Sequence, residues 1–174
     1  MTWFKCKFPF IHSGATWRAA CLFLVLLPIS VVAATTQPYQ AKVIGIADGD
    51  TITVLQGTTQ IKIRLYGIDC PESHQAFGSK AKQFTSNLVF GQTVTIEPVD
   101  TDRYGRSVAW VYSGSKCLNE ELLRAGLAWH FKKYSSDKSL AELETGARQK
   151  RVGLWSDPNV VAPWEYRRLK RTGS

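Results

Sequence analysis

The sequence predicts an α+β fold in which five β-strands curl into a barrel and three helices pack around it. Three observations lead there. Residues 35–174, which follow an apolar leader, have the length of one domain. Segments rich in β-branched residues come as a group of three and then a group of two. A stretch with helical period separates the two groups, and two more helical stretches follow the second.

The leader comes first. Residues 1–34 hold no Asp or Glu, and Lys5, Lys7 and Arg18 carry their positive charge. An apolar run from Ala19 to Ala34 follows, broken by Pro28 and shorter than a comfortable membrane span. It closes on small residues, with Val31/Ala33 or Val32/Ala34 as cleavage pairs. This is the pattern of a secretory signal peptide cleaved near Ala33/Ala34, which predicts an exported protein, periplasmic or secreted. A retained membrane anchor is the alternative. Two cysteines, Cys70 and Cys117, lie beyond the leader, and export to an oxidising compartment leads us to expect a disulfide between them. Two unpaired, partly buried thiols are the alternative.

The first strand is AKVIGI (41–46), the turn ADGDT (47–51) follows, and TITVL (51–55) is the second strand. After a turn at Gln56–Thr59, IKIRLYGI (61–68) sets Ile61, Ile63 and Leu65 on one face against Lys62, Arg64 and Tyr66 on the other, as in a half-buried strand. Beyond Pro71 the period changes: Phe77, Ala81, Phe84 and Leu88 recur at helical spacing, and Gly91 ends the helix. QTVTIEPV (92–99) and SVAWVY (107–112) are the fourth and fifth strands, joined by the charged loop DTDRYGR (100–106). Asn119 is placed to cap a second helix that stops at Gly126, and a third runs from about Asp137 to Arg151 with Leu140, Leu143 and Ala147 inward. From about residue 164 the tail carries Arg167, Arg168, Lys170 and Arg171; we expect a frayed, solvated end, with an anionic membrane or extended nucleic-acid contact as the alternative. Five strands with a helix between the third and fourth is the layout of an OB-type barrel, a fold that commonly binds oligonucleotides or oligosaccharides.

The formal net charge is +8, and nineteen basic against fourteen acidic residues remain without the leader. Such a balance favours polyanionic partners. Three segments place charge where a stable fold does not need it: ADGDT (47–51), IRLYGIDCPE (63–72) and TDRYGR (101–106). Taken singly, each has a plain reading as a turn, a solvated loop or a snorkelling arginine. Together they hold carboxylates that suit a hard divalent cation and guanidinium groups that suit the charge developing on a phosphodiester in flight. A carboxylate can also deprotonate a water. No His or Cys spacing fits a zinc site.

In this order and separation the segments, with LNEELLRAGLA (118–128) and GLW (153–155), closely resemble those of the staphylococcal nuclease family, over nearly all of residues 40–156. The resemblance implies an OB-type barrel and a calcium-dependent nuclease that cuts DNA and RNA, single strands preferentially, at the 5′-oxygen to leave 3′-phosphate ends. It implies Asp50 and Asp69 as direct Ca2+ ligands, Cys70 as a ligand through its backbone carbonyl, and Asp48 as a carboxylate behind the metal. Glu72 matches the general base, Arg64 and Arg106 the two phosphate-clamping arginines, and Arg103 and Tyr104 the residues that hold a terminal phosphate. Of the aromatic pair that flanks the base, Tyr134 matches one member; Lys132 falls at the other, with Trp129 or Phe131 as substitutes. Most tryptophans, Trp155 among them, and His130 are expected to be structural. No obligate protein partner is implied, and a monomer is expected. A non-catalytic OB-type module that only binds nucleic acid is the competing reading; retention of Arg64, Glu72, Arg106, Asp50 and Asp69 speaks against it.

Overall fold

The computed structural model describes residues 37–172; the predicted leader and its cleavage site lie outside them. Strands β1 (Tyr39–Asp48), β2 (Thr51–Gln56) and β3 (Thr59–Leu65) form an antiparallel meander. Helix α1 (Gly78–Val89) crosses to β5 (Thr93–Thr101), which pairs antiparallel with β1 and with β6 (Ser107–Ser113). The barrel closes where β3 meets β6 in parallel, with Arg64 opposite Val108. Two-residue strands β4 (Ile68–Asp69) and β8 (Trp129–His130) pair beside it, and β7 (Lys116–Cys117) folds back antiparallel on β6. Helices α2 (Leu118–Arg124) and α3 (Lys138–Gln149) follow, then a 3-10 turn at Gly153–Ser156 and a fourth helix, α4 (Pro163–Thr172).

Alternation builds the barrel core. Ile52, Val54, Ile63, Leu65, Ile96, Ala109 and Val111 point inward and are fully buried. Burying each large aliphatic side chain contributes roughly 1.5–3 kcal/mol. Leu118, Leu122, Leu123 and Leu140 close one end of the same core. On α1 the buried line is Ala81, Thr85 and Val89, with Phe77, Phe84 and Leu88 packed along its edge. A second cluster gathers Trp129, Ala147, Leu154, Trp155 and Ala162, with the Arg148 guanidinium 3.8 Å from the centre of the Trp155 ring. Trp155 is therefore a packing residue, as expected.

Four expectations are corrected. The third strand stops at Leu65, because Gly67 takes a positive φ of 72° and redirects the chain into β4. Asn119 does not cap α2: Cys117 holds that position. Instead the buried Asn119 amide donates to the carbonyls of Tyr66 (2.9 Å) and Ala109 (3.3 Å) and accepts from the Val111 N–H, tying α2 to the barrel. Cys70 and Cys117 are free thiols, not a disulfide. Cys70 packs against Gly49 under α1, whereas Cys117 sits in the β6–β7 ladder with its thiol toward Asn119. Lastly, the tail is not frayed. It is helical over Pro163–Thr172 and docks through Trp164, whose ring stacks on Phe131 with centroids 5.3 Å apart and planes at 5°.

Candidate active site

One cleft of about 730 Å3 opens beside the closure of the barrel. Three pieces of backbone converge on it: the β1–β2 turn, the segment from the end of β3 to Glu72, and the β5–β6 loop. Asp48, Asp50, Asp69 and Glu72 line its acidic side, and Arg64, Cys70, Arg103, Tyr104, Arg106 and Tyr134 line it as well, whereas Lys132 and Cys117 do not.

The β1–β2 turn is held by more than its own sequence. A Cβ on Gly49 would lie 2.7 Å from that of Ala81 and 2.9 Å from the Cys70 sulphur, so only glycine lets α1 seat against this turn. The Thr85 hydroxyl donates to the Gly49 carbonyl at 2.5 Å from within that helix. Gly78 plays the same part at the start of α1, where a Cβ would run into the Glu72 carbonyl at 1.9 Å. The Glu72 loop can thus close tightly over the helix.

Asp50 and Asp69 are buried, with 5% and 1% of their surface exposed. Asp50 accepts the Cys70 N–H and the Thr51 hydroxyl. Arg64 bridges the two carboxylates, its Nη1 on Asp50 and its Nη2 2.6 Å from Asp69 Oδ1. Burial opposes the Arg64 charge, but the adjacent Asp50 and Asp69 outweigh it and hold the guanidinium protonated. Burial raises the Asp69 carboxyl above its usual range despite hydrogen bonding from Arg167 and the charge of Arg64. Asp48 is raised as well, by burial and by the charges of Asp50 and Glu72.

Strand closure decides the position of the second clamp residue. Arg64 pairs across the β3–β6 seam with Val108, and Arg106 lies two residues earlier on the same chain. Arg106 immediately precedes β6, and it lines the cleft together with Val108 and Arg64. Arg106 Nε donates to Asp102 at 2.6 Å. Arg103 and Tyr104 stand at the mouth, with the Arg103 guanidinium 4.9 Å from the centre of an exposed Tyr104 ring. Tyr134, also exposed, meets Phe131 edge to face at 4.9 Å, and both line the cleft. Of the two substitutes considered for the missing aromatic, Phe131 is therefore at the site, whereas Trp129 is buried in the second cluster. His130 is buried in β8 and is absent from the cleft lining.

Two site residues were not assigned from the sequence. Asp102 was visible inside the DRYGR segment but had no role attached. Arg167 lay in a tail with no periodic signal to tie it to the barrel. In the structure its Nη1 donates to Glu72 Oε1 at 2.6 Å and its Nη2 to Asp69 Oδ2 at 2.7 Å.

The donor set fits a hard cation. Carboxylate oxygens from two turns already share positively charged groups between them, and oxygen donors suit calcium or magnesium. Among the described residues no three acidic, histidine or cysteine side chains form a ready-made metal cage; the carboxylates are arranged around Arg64 and Arg167 instead.

The model of the staphylococcal nuclease homologue family matches residues 62–157, more than half of the chain. A protein named micrococcal nuclease from Shigella flexneri is 39% identical over 171 residues, covering 92% of this chain and 97% of its own. This chain belongs to the staphylococcal nuclease family. Two further family relatives are 38% identical: Protein ParB of Escherichia coli, over 90% of this chain and 93% of its own, and an uncharacterized endonuclease of Haemophilus influenzae, over 88% of each. In this family member the matched span runs from β3 through the 3-10 turn, so α4 and its Arg167 lie beyond the family model.

Proposed function

We propose that this protein is an exported, calcium-dependent nuclease that hydrolyses phosphodiester bonds of DNA and RNA, single strands preferentially, and leaves 3′-phosphate ends. The observation that carries the reading is one cleft lined by Arg64 and Arg106 together with the carboxylates of Asp50, Asp69 and Glu72. Family membership and the nuclease names of its relatives support the substrate class. Asp50 and Asp69, with the Cys70 backbone carbonyl, would hold Ca2+, and Asp48 stands behind them. The bound ion would polarise the phosphate and share its developing charge.

The chain's own residues account for the other parts. Glu72 accepts a proton from a water as that water's oxygen bonds to phosphorus. Arg64 and Arg106 donate forked hydrogen bonds to the non-bridging oxygens, whose charge grows in the transition state. The bond from phosphorus to the 5′-oxygen breaks, and the leaving oxygen takes a proton from solvent while a guanidinium hydrogen-bonds to it. Arg103 and Tyr104 receive a terminal phosphate at the mouth, and Tyr134 with Phe131 offers aromatic surface to a base. Unstacked bases reach such rings more readily than paired ones, which supports the single-strand preference. One chain supplies the whole site, so a monomer suffices. The charge pattern and apolar run of residues 1–34 support export with cleavage near Ala33/Ala34.

The test is digestion of single- and double-stranded DNA and of RNA, with calcium and with a chelator. Glu72→Ser, Arg64→Gly and Arg106→Gly should each lower turnover about 10²–10³-fold, the cost of one lost transition-state contact. Variants that digest as fast as the parent would refute the assignment. Nucleic-acid binding without calcium-dependent cleavage would point to the binding module instead.

A further inference from the structure

Arg167 reaches the carboxylates from the far end of the chain. It occupies Asp69 Oδ2 at 2.7 Å and Glu72 Oε1 at 2.6 Å, and Nη1 also lies 3.3 Å from Asp69 Oδ1. Arg64 takes Asp69 Oδ1 and Asp50 Oδ1, and the Cys70 N–H takes Asp50 Oδ2. Both oxygens of Asp69 are thus committed to guanidinium groups. A divalent cation held by Asp69 draws on the same oxygens and is repelled by the guanidinium groups on them, so the arginine that leaves most cheaply gives way.

Exposure and tethering decide which one. The Arg64 side chain is only 14% exposed and rises from a paired strand inside the closed barrel. Vacating it would leave its buried partners uncompensated, at high cost. The Arg167 side chain is 39% exposed and projects from a ten-residue terminal helix. Its ion pairs are more open to solvent than those of Arg64 and so cheaper to break. Near its start that helix is held by Trp164 on Phe131 and Trp129 and by the Gln75 amide on the Val161 carbonyl, and further along Leu169 is exposed.

We propose that Arg167 is a tethered counter-ion which competes with the metal for Asp69, so that cation binding displaces it and loosens α4. The guanidinium keeps Asp69 and Glu72 together while the metal is away, and it sets how tightly the cation is held. This rests on the metal reading of Asp50 and Asp69 given above.

The experiment is calorimetric titration of the purified protein with calcium chloride, paired with hydrogen exchange over Pro163–Thr172. Arg167→Ala should bind calcium at least tenfold tighter than the parent, and Arg167→Lys should fall between them. Arg168→Ala removes a cation of the same helix whose ion pair is with Glu165, and it should bind as the parent does. Calcium should speed exchange across α4 in the parent and leave it unchanged in Arg167→Ala. Equal or weaker binding by Arg167→Ala overturns the proposal while the metal site stands. So does an α4 in the parent whose exchange ignores calcium. Absence of calcium binding in both proteins removes the metal reading and the counter-ion with it.

Discussion

Asp102 receives Arg106 Nε at 2.6 Å on one carboxylate oxygen and the backbone N–H groups of Tyr104 (2.9 Å) and Arg106 (3.0 Å) on the other. One side chain therefore shapes the β5–β6 loop and aims a guanidinium into the cleft. Slight burial would raise the Asp102 carboxyl, but the hydrogen bonds from Arg106 and Tyr104 prevail and hold it below its usual value. Asp102→Asn keeps an acceptor for the loop and removes the charge that orients Arg106. Its turnover should fall about 10-fold or more with little change in melting temperature, since a hydrogen bond to a charged group is worth about 1.5–3 kcal/mol. Turnover equal to the parent would show that Arg106 needs no such support.

Gly49 sits between the two aspartates of its turn with no space for a side chain. Gly49→Ala would push on Ala81 and Cys70, and overpacking of this kind costs about 1–3 kcal/mol. Denaturant unfolding should show a loss in that range, and activity at saturating calcium should fall with it because Asp48 and Asp50 move. An unchanged unfolding midpoint would mean that α1 can yield.

The two thiols should behave as buried, unpaired groups. Burial pushes Cys70 well above the ordinary thiol range and Cys117 up to about 11, so little thiolate exists at neutral pH. Iodoacetamide should leave both unlabelled in the folded protein and label both after unfolding without reductant. A mass two hydrogens lower, with no labelling after unfolding, would instead establish the Cys70–Cys117 disulfide in the exported protein.

Asp137 caps α3, accepting the Ser139 hydroxyl at 2.7 Å and the Ser139 N–H at 2.8 Å. Those bonds hold its carboxyl below the usual value. A depressed carboxylate stabilises the fold above its unfolded pKa and loses that contribution as pH falls through the folded one. Asp137→Ala should cost about 1 kcal/mol at neutral pH. Its stability curve should approach the parent's as pH drops below about 3.9. A gap that stays constant into acid would assign the cost to something other than the charged cap.

Much of the fold was legible because its signals are local. Alternation in TITVL and IKIRL, the turn residues between them and the helical period after Phe77 are set within a few residues, and each became the expected element. The same holds for Asp137, whose cap depends on the next three residues. Misreadings arose where a distant partner overrides local preference. Asn119 has the chemistry of a cap, yet the carbonyls of Tyr66 and Ala109 claim its amide from across the barrel. IKIRLYGI reads as one strand to Ile68, yet Gly67 turns so that Ile68 can pair with His130.

The candidate site divides in the same way. The sequence alone determined which residue types the candidate site would hold, since ADGDT, RLYGIDCPE and DRYGR carry the carboxylates and guanidiniums in an order that resembles one family's. Only the tertiary structure decided how they meet. The parallel β3–β6 seam sets Arg64 beside the strand that Arg106 leads into. The seating of α1 on Gly49 fixes the aspartate turn, and α4 brings Arg167 to Asp69 across 98 positions of chain. No periodicity links residues so far apart; what joins them is opposite charge in a partly buried cleft and a tryptophan that docks the helix carrying it.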